Sequence, residues 1–258
     1  MNKNEHKGML NFNYILEECK KSYVPFKRKV ERSREPKDLI TAIKNADKEG
    51  RNAIIAEIKY RSPSKASKRT DSPDDIALQM IRGGACAISV LTEGKFFGGS
   101  LENLMKVKSV SEDIPVLRKD FIFHPSQIPE SYYYGADALL LISSFFTIKR
   151  LKSMIDDSRA FDMEPLVEVH TLEDVTRAQD AGARLFAINN RDKDTLKIDL
   201  RRTAEMAPQI KGVKVSASGI ETPSHLKEAL KYADAALVGS SIMASKDIAT
   251  KVAELVET

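Results

Sequence analysis

Four times along this chain a helix-like stretch gives way, through a turn of small residues, to a short apolar run. Gly84-Ala85-Cys86-Ala87-Ile88-Ser89-Val90-Leu91 is echoed by Gly135-Ala136-Asp137-Ala138-Leu139-Leu140-Leu141-Ile142, by Gly182-Ala183-Arg184-Leu185-Phe186-Ala187-Ile188 and by Tyr232-Ala233-Asp234-Ala235-Ala236-Leu237-Val238-Gly239. Glycine just past a helix end takes positive φ without a Cβ clash, and an unbroken apolar run reads as a strand covered on both faces. Each copy is therefore a helix-to-strand joint, and the copies recur at a period of about 50 residues.

Between the copies lie further runs of strand type: Ala53 to Lys59, Ile114 to Lys119, Pro165 to Val169 and Val213 to Ser216. Helix-like stretches such as Ser100 to Val110, Thr171 to Asp180 and Pro223 to Tyr232 separate the strands. Eight strands at intervals of roughly 25 residues, alternating with helices, predict an α/β chain folded as a single (β/α)8 TIM barrel, whose usual size is about 250 residues. A doubly wound open sheet needs fewer strands or a second domain, and no Gly/Pro/Ser-rich linker marks a boundary. The expected unit spans 1–258. Of this, about 1–50 form a helical extension, with amphipathic patterns over Leu10 to Lys21 and Pro36 to Glu49 read as extra helices capping one end of the barrel.

Composition narrows the partners. With 42% hydrophobic and 30% charged residues, and only 12 Gly and 10 Pro, the chain is not a low-complexity one. A net charge of +4 suits an anionic small molecule. The absence of Trp and an aromatic content of 7% supply a base-stacking surface poorly. The basic stretch Lys20 to Lys37 is interrupted by Glu31 and Glu35, as a solvated face would be, so no nucleic-acid partner is expected. No run of about 18 apolar residues and no signal-type start occurs, so the expectation is a cytoplasmic protein without a membrane partner. Cys19 and Cys86 lie far apart and read as reduced thiols, and His6, His124, His170 and His225 are scattered, so no metal site is expected.

In a barrel of this kind the chemistry sits at the C-terminal strand ends and in the loops that follow. Glu57 and Lys59 are two apart in an apolar run, which puts both on one face of the first strand, the barrel interior. The third strand ends in adjacent cations, Arg118 and Lys119; one points inward and one outward, and alternation alone does not say which. Glu168 lies inside the apolar run of the fifth strand. Burial raises a carboxylate pKa and lowers that of a lysine, so this set reads as general acid/base machinery. Asn189, Asn190, Arg191 and Asp192 after the sixth strand offer amides and a guanidinium for orienting carboxylates or hydroxyls. The seventh strand leads into Ser218-Gly219 and the eighth into Gly239-Ser240-Ser241, each ahead of a helix. Small residues at these two strands predict the phosphate site usual for the fold.

Taken together, these residues resemble one known family. Glu57-Ile58-Lys59 with Ser62-Pro63-Ser64, Leu91-Thr92-Glu93 with Phe96-Phe97-Gly98-Gly99-Ser100, Leu117-Arg118-Lys119-Asp120-Phe121, Glu164-Pro165-Leu166-Val167-Glu168-Val169, Ile188-Asn189-Asn190-Arg191-Asp192 and Gly239-Ser240-Ser241 are similar, in order, to indole-3-glycerol phosphate synthases. The resemblance implies a cofactor-free lyase of tryptophan biosynthesis; the expected assembly, which the sequence does not fix, is a monomer or weak homodimer. Such an enzyme cyclises 1-(2-carboxyphenylamino)-1-deoxyribulose 5-phosphate to indole-3-glycerol phosphate with loss of CO2 and water. It implies Lys59, Lys119 and Glu168 as acid/base residues, Glu57 as partner of Lys59, and Asn189 as a holder of catalytic groups and substrate hydroxyls. Arg191 would support the carboxylates, and Phe97 and Phe121 would line the anilino-ring pocket. Ser62, Gly219, Gly239 and Ser240 would bind phosphate, with Ser218 and Leu237 beside the substrate.

One position departs from that pattern. The family reads Val-Ser-Glu-Ser-Gly-Ile where this chain has Val215-Ser216-Ala217-Ser218-Gly219-Ile220. The carboxylate expected at the end of the seventh strand is missing, which keeps open a weakened form that binds ligand with little turnover. Another phosphate-binding barrel enzyme is the remaining alternative. Its phosphate loops would look alike, but it would not call for Glu57, Lys59 and Lys119 together with Asn189 and Arg191.

Overall fold

The computed structural model describes residues 12–31, 33–62, 65–66 and 69–258, with Ser62, Lys65 and Ala66 described in their backbone alone. Leu10 and Asn11 of the first expected helix lie outside the described residues. Eight parallel strands, β1 (Ile54–Ile58), β2 (Ala87–Leu91), β3 (Val116–Lys119), β4 (Ala138–Ile142), β5 (Leu166–Val169), β6 (Leu185–Asn189), β7 (Val213–Ala217) and β8 (Ala235–Val238), close into a barrel. Closure is made by β1 against β8, with Ile54, Ile55 and Ala56 opposite Ala236, Leu237 and Val238. The expected (β/α)8 architecture is thus the one observed. In three of the repeated joints Gly84, Gly135 and Gly182 adopt φ of 89°, 94° and 86°. At Gly182 a Cβ would meet nothing within 4 Å, so the left-handed backbone alone calls for glycine there.

Alternation along each strand builds two apolar layers. Ile54, Ile88, Val116, Val167 and Phe186 pack outward against the helices, whereas Ile55, Leu117, Leu140, Leu166 and Val215 fill the barrel. The outer helices include α3 (Pro73–Arg82), α4 (Leu101–Val110), α5 (Gln127–Tyr133), α6 (Ile148–Arg159), α7 (Leu172–Asp180), α8 (Arg201–Met206) and α9 (Pro223–Leu230). After β8 come α10 (Ser240–Ala244) and α11 (Ile248–Glu257). Ser100, Thr147, Thr171, Thr222 and Asp247 each cap a helix by accepting the backbone N–H three residues on.

The N-terminal helices α1 (Phe12–Ser22) and α2 (Leu39–Lys48) do not share one end of the barrel, contrary to the sequence reading. Leu39 and Ile43 of α2 are buried with Ala53 and Cys86, residues that precede β1 and β2, so α2 seals the N-terminal mouth. Phe12 of α1 instead meets Phe121 and His170 edge-on at 5.8 and 5.4 Å, residues that follow β3 and β5 at the opposite mouth. Described residues between the two helices touch the barrel near both mouths. Tyr23 Oη is 2.8 Å from Ser126 Oγ near one mouth, and the Arg34 guanidinium donates to Asp137, just before β4, at 2.9 Å near the other. Among the described residues no helix is long and apolar enough to cross a membrane.

Candidate active site

At the C-terminal mouth of the barrel a cavity of about 550 Å³ collects side chains from most of the strands. From β1 the alternation carries Ile55, Glu57 and Lys59 to the inside. Lys59 Nζ donates to Glu57 Oε1 at 2.9 Å, and Lys119 Nζ lies 3.7 Å from Oε2 of the same carboxylate. One glutamate thus holds two ammonium groups toward a common space. Burial by itself would raise the Glu57 pKa, but the charges of Lys59 and Lys119 and the Lys59 hydrogen bond hold it below the usual carboxylate range.

The adjacent cations of β3 part company. Arg118 turns outward, 2% exposed, and its guanidinium donates to Glu130 Oε2 at 2.9 Å, Asp120 Oδ2 at 3.0 Å and Ser131 Oγ at 3.1 Å. Lys119 is the one that lines the cavity. Arg118 is a buried structural ion held between β3 and α5.

Glu168 of β5 is buried, yet its titration runs opposite to the sequence expectation. Burial raises its pKa, but the hydrogen bond from His170, the charges of Lys119 and His170 and the Asn189 amide together lower it to about 2. These contacts favour the ionised carboxylate. Asn189, the last residue of β6, also accepts the Arg191 N–H at Oδ1, 2.9 Å away, which ties the following turn to the strand. Arg191 lines the cavity and donates to the Leu196 carbonyl at 2.9 Å. Burial lowers its pKa, and the charge of Glu57 opposes that shift.

Beyond β7 the chain turns through two left-handed residues, Ser218 at φ 72° and Gly219 at φ 83°. A side chain at 219 would strike Ile198 Cγ2 at 2.4 Å, so both backbone and space require glycine. Ser218 is the costlier of the two, since a non-glycine residue in this region stores strain that recurs at ligand sites. Ser241 Oγ donates to the Ile220 carbonyl at 3.1 Å and fastens the loop after β8 to the loop after β7. Leu237, Gly239 and Ser240 line the cavity beside them. Ala217 closes β7 at the cavity wall, 2% exposed; its carbonyl accepts the Asn190 N–H at 2.9 Å, while its methyl side chain brings neither charge nor a hydrogen-bonding group. The side chain of Ser62 lies outside the described residues, so its place in the predicted phosphate site is not part of this geometry.

The opposite wall is aromatic. Phe97 and Phe121 face one another with centroids 6.1 Å apart, and Phe12 closes on Phe121 from α1. Glu93 organises the loop that carries Phe97 by accepting the N–H groups of Lys95, Phe96 and Phe97 at 2.8, 2.7 and 3.0 Å. Burial pushes the thiols of Cys19 and Cys86 up to about 12, which makes both poor nucleophiles. Contributors that escaped the sequence reading include Phe12, Glu93 and His170. The last was accessible to it, because the two-residue spacing that pairs Glu57 with Lys59 also sets His170 beside Glu168.

The cavity therefore combines clamped ammonium groups, an ionised carboxylate, an aromatic wall and a glycine-serine rim. Comparison with known proteins agrees in kind. The sequence profile of the family described as indole-3-glycerol phosphate synthase matches residues 13–255. The chain belongs to the indole-3-glycerol phosphate synthase family. The synthase of Methanocaldococcus jannaschii is 47% identical over 223 residues, 84% of this chain and 82% of that protein. That of Aquifex aeolicus is 45% identical over 207 residues, 78% of this chain and 80% of the other. Such synthases are decarboxylating lyases of tryptophan biosynthesis that act on a phosphorylated small molecule. Among solved structures, 3-hexulose-6-phosphate synthase superimposes with a TM-score of 0.63 at 18% identity, covering 79% of this chain and 97% of that one. The tryptophan synthase alpha chain of Legionella pneumophila gives 0.61 at 11% identity, covering 83% and 94%. At such identities these two share the fold alone with this chain.

Proposed function

We propose that this cavity cyclises 1-(2-carboxyphenylamino)-1-deoxyribulose 5-phosphate, with Lys59 and Lys119 as acids and Glu168 as base. The observation that carries the reading is the Glu57 carboxylate shared by Lys59 at 2.9 Å and Lys119 at 3.7 Å. Ring closure joins the carboxylate-bearing aromatic carbon to the ketone carbon, and the ketone oxygen needs a proton as its charge develops. An ammonium supplies it. Departure of CO2 then restores the aromatic ring, and loss of the hydroxyl as water, with a proton taken by a base, completes the indole. Two acid-assisted steps match two cavity lysines, and the ionised Glu168 matches the base.

In this reading Phe97 and Phe121 line the anilino-ring pocket, and Leu237 and Ser218 border the substrate. Ser62, Gly219, Gly239 and Ser240 receive the phosphate. Asn189 and Arg191 orient substrate hydroxyls and the site carboxylates. The reaction calls for no cofactor. Incubating the purified protein with the carboxyphenylamino substrate and following indole fluorescence tests the proposal; no turnover at high enzyme concentration overturns it. We further read the protein as cytoplasmic and as a monomer or weak homodimer, which light scattering over a concentration series checks.

Ala217 supports a second reading, in which the site binds ligand but turns it over slowly. The β7 position that presents a carboxylate in the family pattern presents a methyl group here.

A further inference from the structure

Glu168 is gripped by a histidine that the mechanism above does not use. His170 is 3% exposed, and its ring is fixed on several sides. Nδ1 lies 3.1 Å from the Arg191 carbonyl oxygen, Nε2 lies 2.9 Å from Glu168 Oε1, and Phe12 packs edge-on at 5.4 Å. The backbone is pinned as well. Its N–H donates to Asp174 Oδ2 at 3.1 Å, and its carbonyl accepts from the Arg202 guanidinium at 3.3 Å.

Both ring nitrogens therefore face oxygen acceptors. A carbonyl has no proton to give, so Nδ1 carries the hydrogen of that contact. The second contact then needs one proton more, since a neutral ring against an ionised Glu168 would set two lone pairs face to face. The charged and polar groups that bear on Glu168 from neighbouring strands are Lys119 of β3, Asn189 of β6 and, opposing them, Glu57 of β1. An ammonium and an amide donor favour the carboxylate, which leaves the extra proton on the ring.

We propose that His170 is a positioning residue: as an imidazolium it locks Oε1 of Glu168 and fixes the plane of the carboxylate that serves the substrate. Its catalytic consequence rests on the synthase reading, but its protonation does not. Without a proton on Nε2 the ring would face Oε1 of Glu168 lone pair to lone pair, and the carboxylate would be free to rotate away.

Nitrogen NMR of the full chain labelled at histidine separates the two parts. The four histidines are His6, His124, His170 and His225, and His170→Gln identifies the signal of interest. The expected result is N–H character at both ring nitrogens of His170 at neutral pH; a ring with one bare nitrogen there overturns the proposal whether or not the protein turns over substrate. In kinetics, His170→Gln keeps an uncharged donor for Glu168 and His170→Phe removes it. With KM held within about threefold, kcat is expected to fall at least about 30-fold in the Phe variant and no more than about fivefold in the Gln variant. The high-pH limb of the kcat profile that belongs to the pair is expected to vanish in His170→Gln. Equal losses in both variants, or an unchanged pH profile, overturn the positioning role. Should the Phe variant fail to fold, the NMR result and the Gln profile still decide.

Discussion

A methyl group added to Gly239 would lie 2.6 Å from Oε1 of Glu57 and 3.0 Å from its Cβ. The Gly239 φ of −125° lies outside the left-handed region that favours glycine, so the requirement for glycine rests on the crowding neighbour. The end of β8 thus presses on the carboxylate that clamps both lysines. Besides bordering the proposed phosphate site, Gly239 sets where Glu57 can sit.

Gly239→Ala is expected to push Glu57 off Lys59 and Lys119 and to lower kcat/KM by about tenfold or more, about 1.4 kcal/mol of transition-state stabilisation. Steady-state kinetics at matched folded fraction checks it. A wild-type rate would mean that Glu57 yields without losing the lysines.

Neighbouring cations on β3 should fail in different ways. Lys119→Met is expected to abolish turnover while leaving the denaturation midpoint near that of the parent, because Lys119 lines the cavity. Arg118→Met strands Glu130 and Asp120 without their shared cation. Removing one partner of a buried ion network costs about 3–5 kcal/mol, to be read from urea unfolding.

Restoring the missing carboxylate tests what Ala217 does. If its loss limits catalysis, Ala217→Glu should raise kcat/KM more than about tenfold, roughly 1.4 kcal/mol. An unchanged rate would remove the basis for a weakened site.

Acid stability should carry the signature of Glu168. Its pKa falls from 4.5 in the unfolded reference to about 2 in the folded chain, so between these values the unfolded state binds more protons. Its contribution is complete above about pH 4.5 and is lost as pH falls through about 2; Glu57, also lowered, acts in the same direction. Urea midpoints should drop across that window, and less steeply in Glu168→Gln.

Much of the fold was legible because its cause is local. A left-handed glycine after a helix and a doubly covered apolar run are properties of neighbouring residues, and repetition at about 50 residues leaves few closed arrangements beside the barrel. The inward pairing of Glu57 with Lys59 is equally local, being the two-residue period of a strand. Where alternation met two adjacent charges it was silent, and tertiary contacts made the choice. Glu130 and Ser131 of α5 supply acceptors outside the barrel for Arg118, while Glu57 draws Lys119 inward. The sign of the Glu168 shift was likewise out of reach. Burial, visible in the apolar run, pushes upward, but His170, Lys119 and Asn189 prevail, and two of these three come from other strands. The sequence alone determined the barrel, the inward face of β1 and the family. Which charges share the cavity, which end each N-terminal helix closes and which way Glu168 titrates depended on distances between residues far apart in the chain.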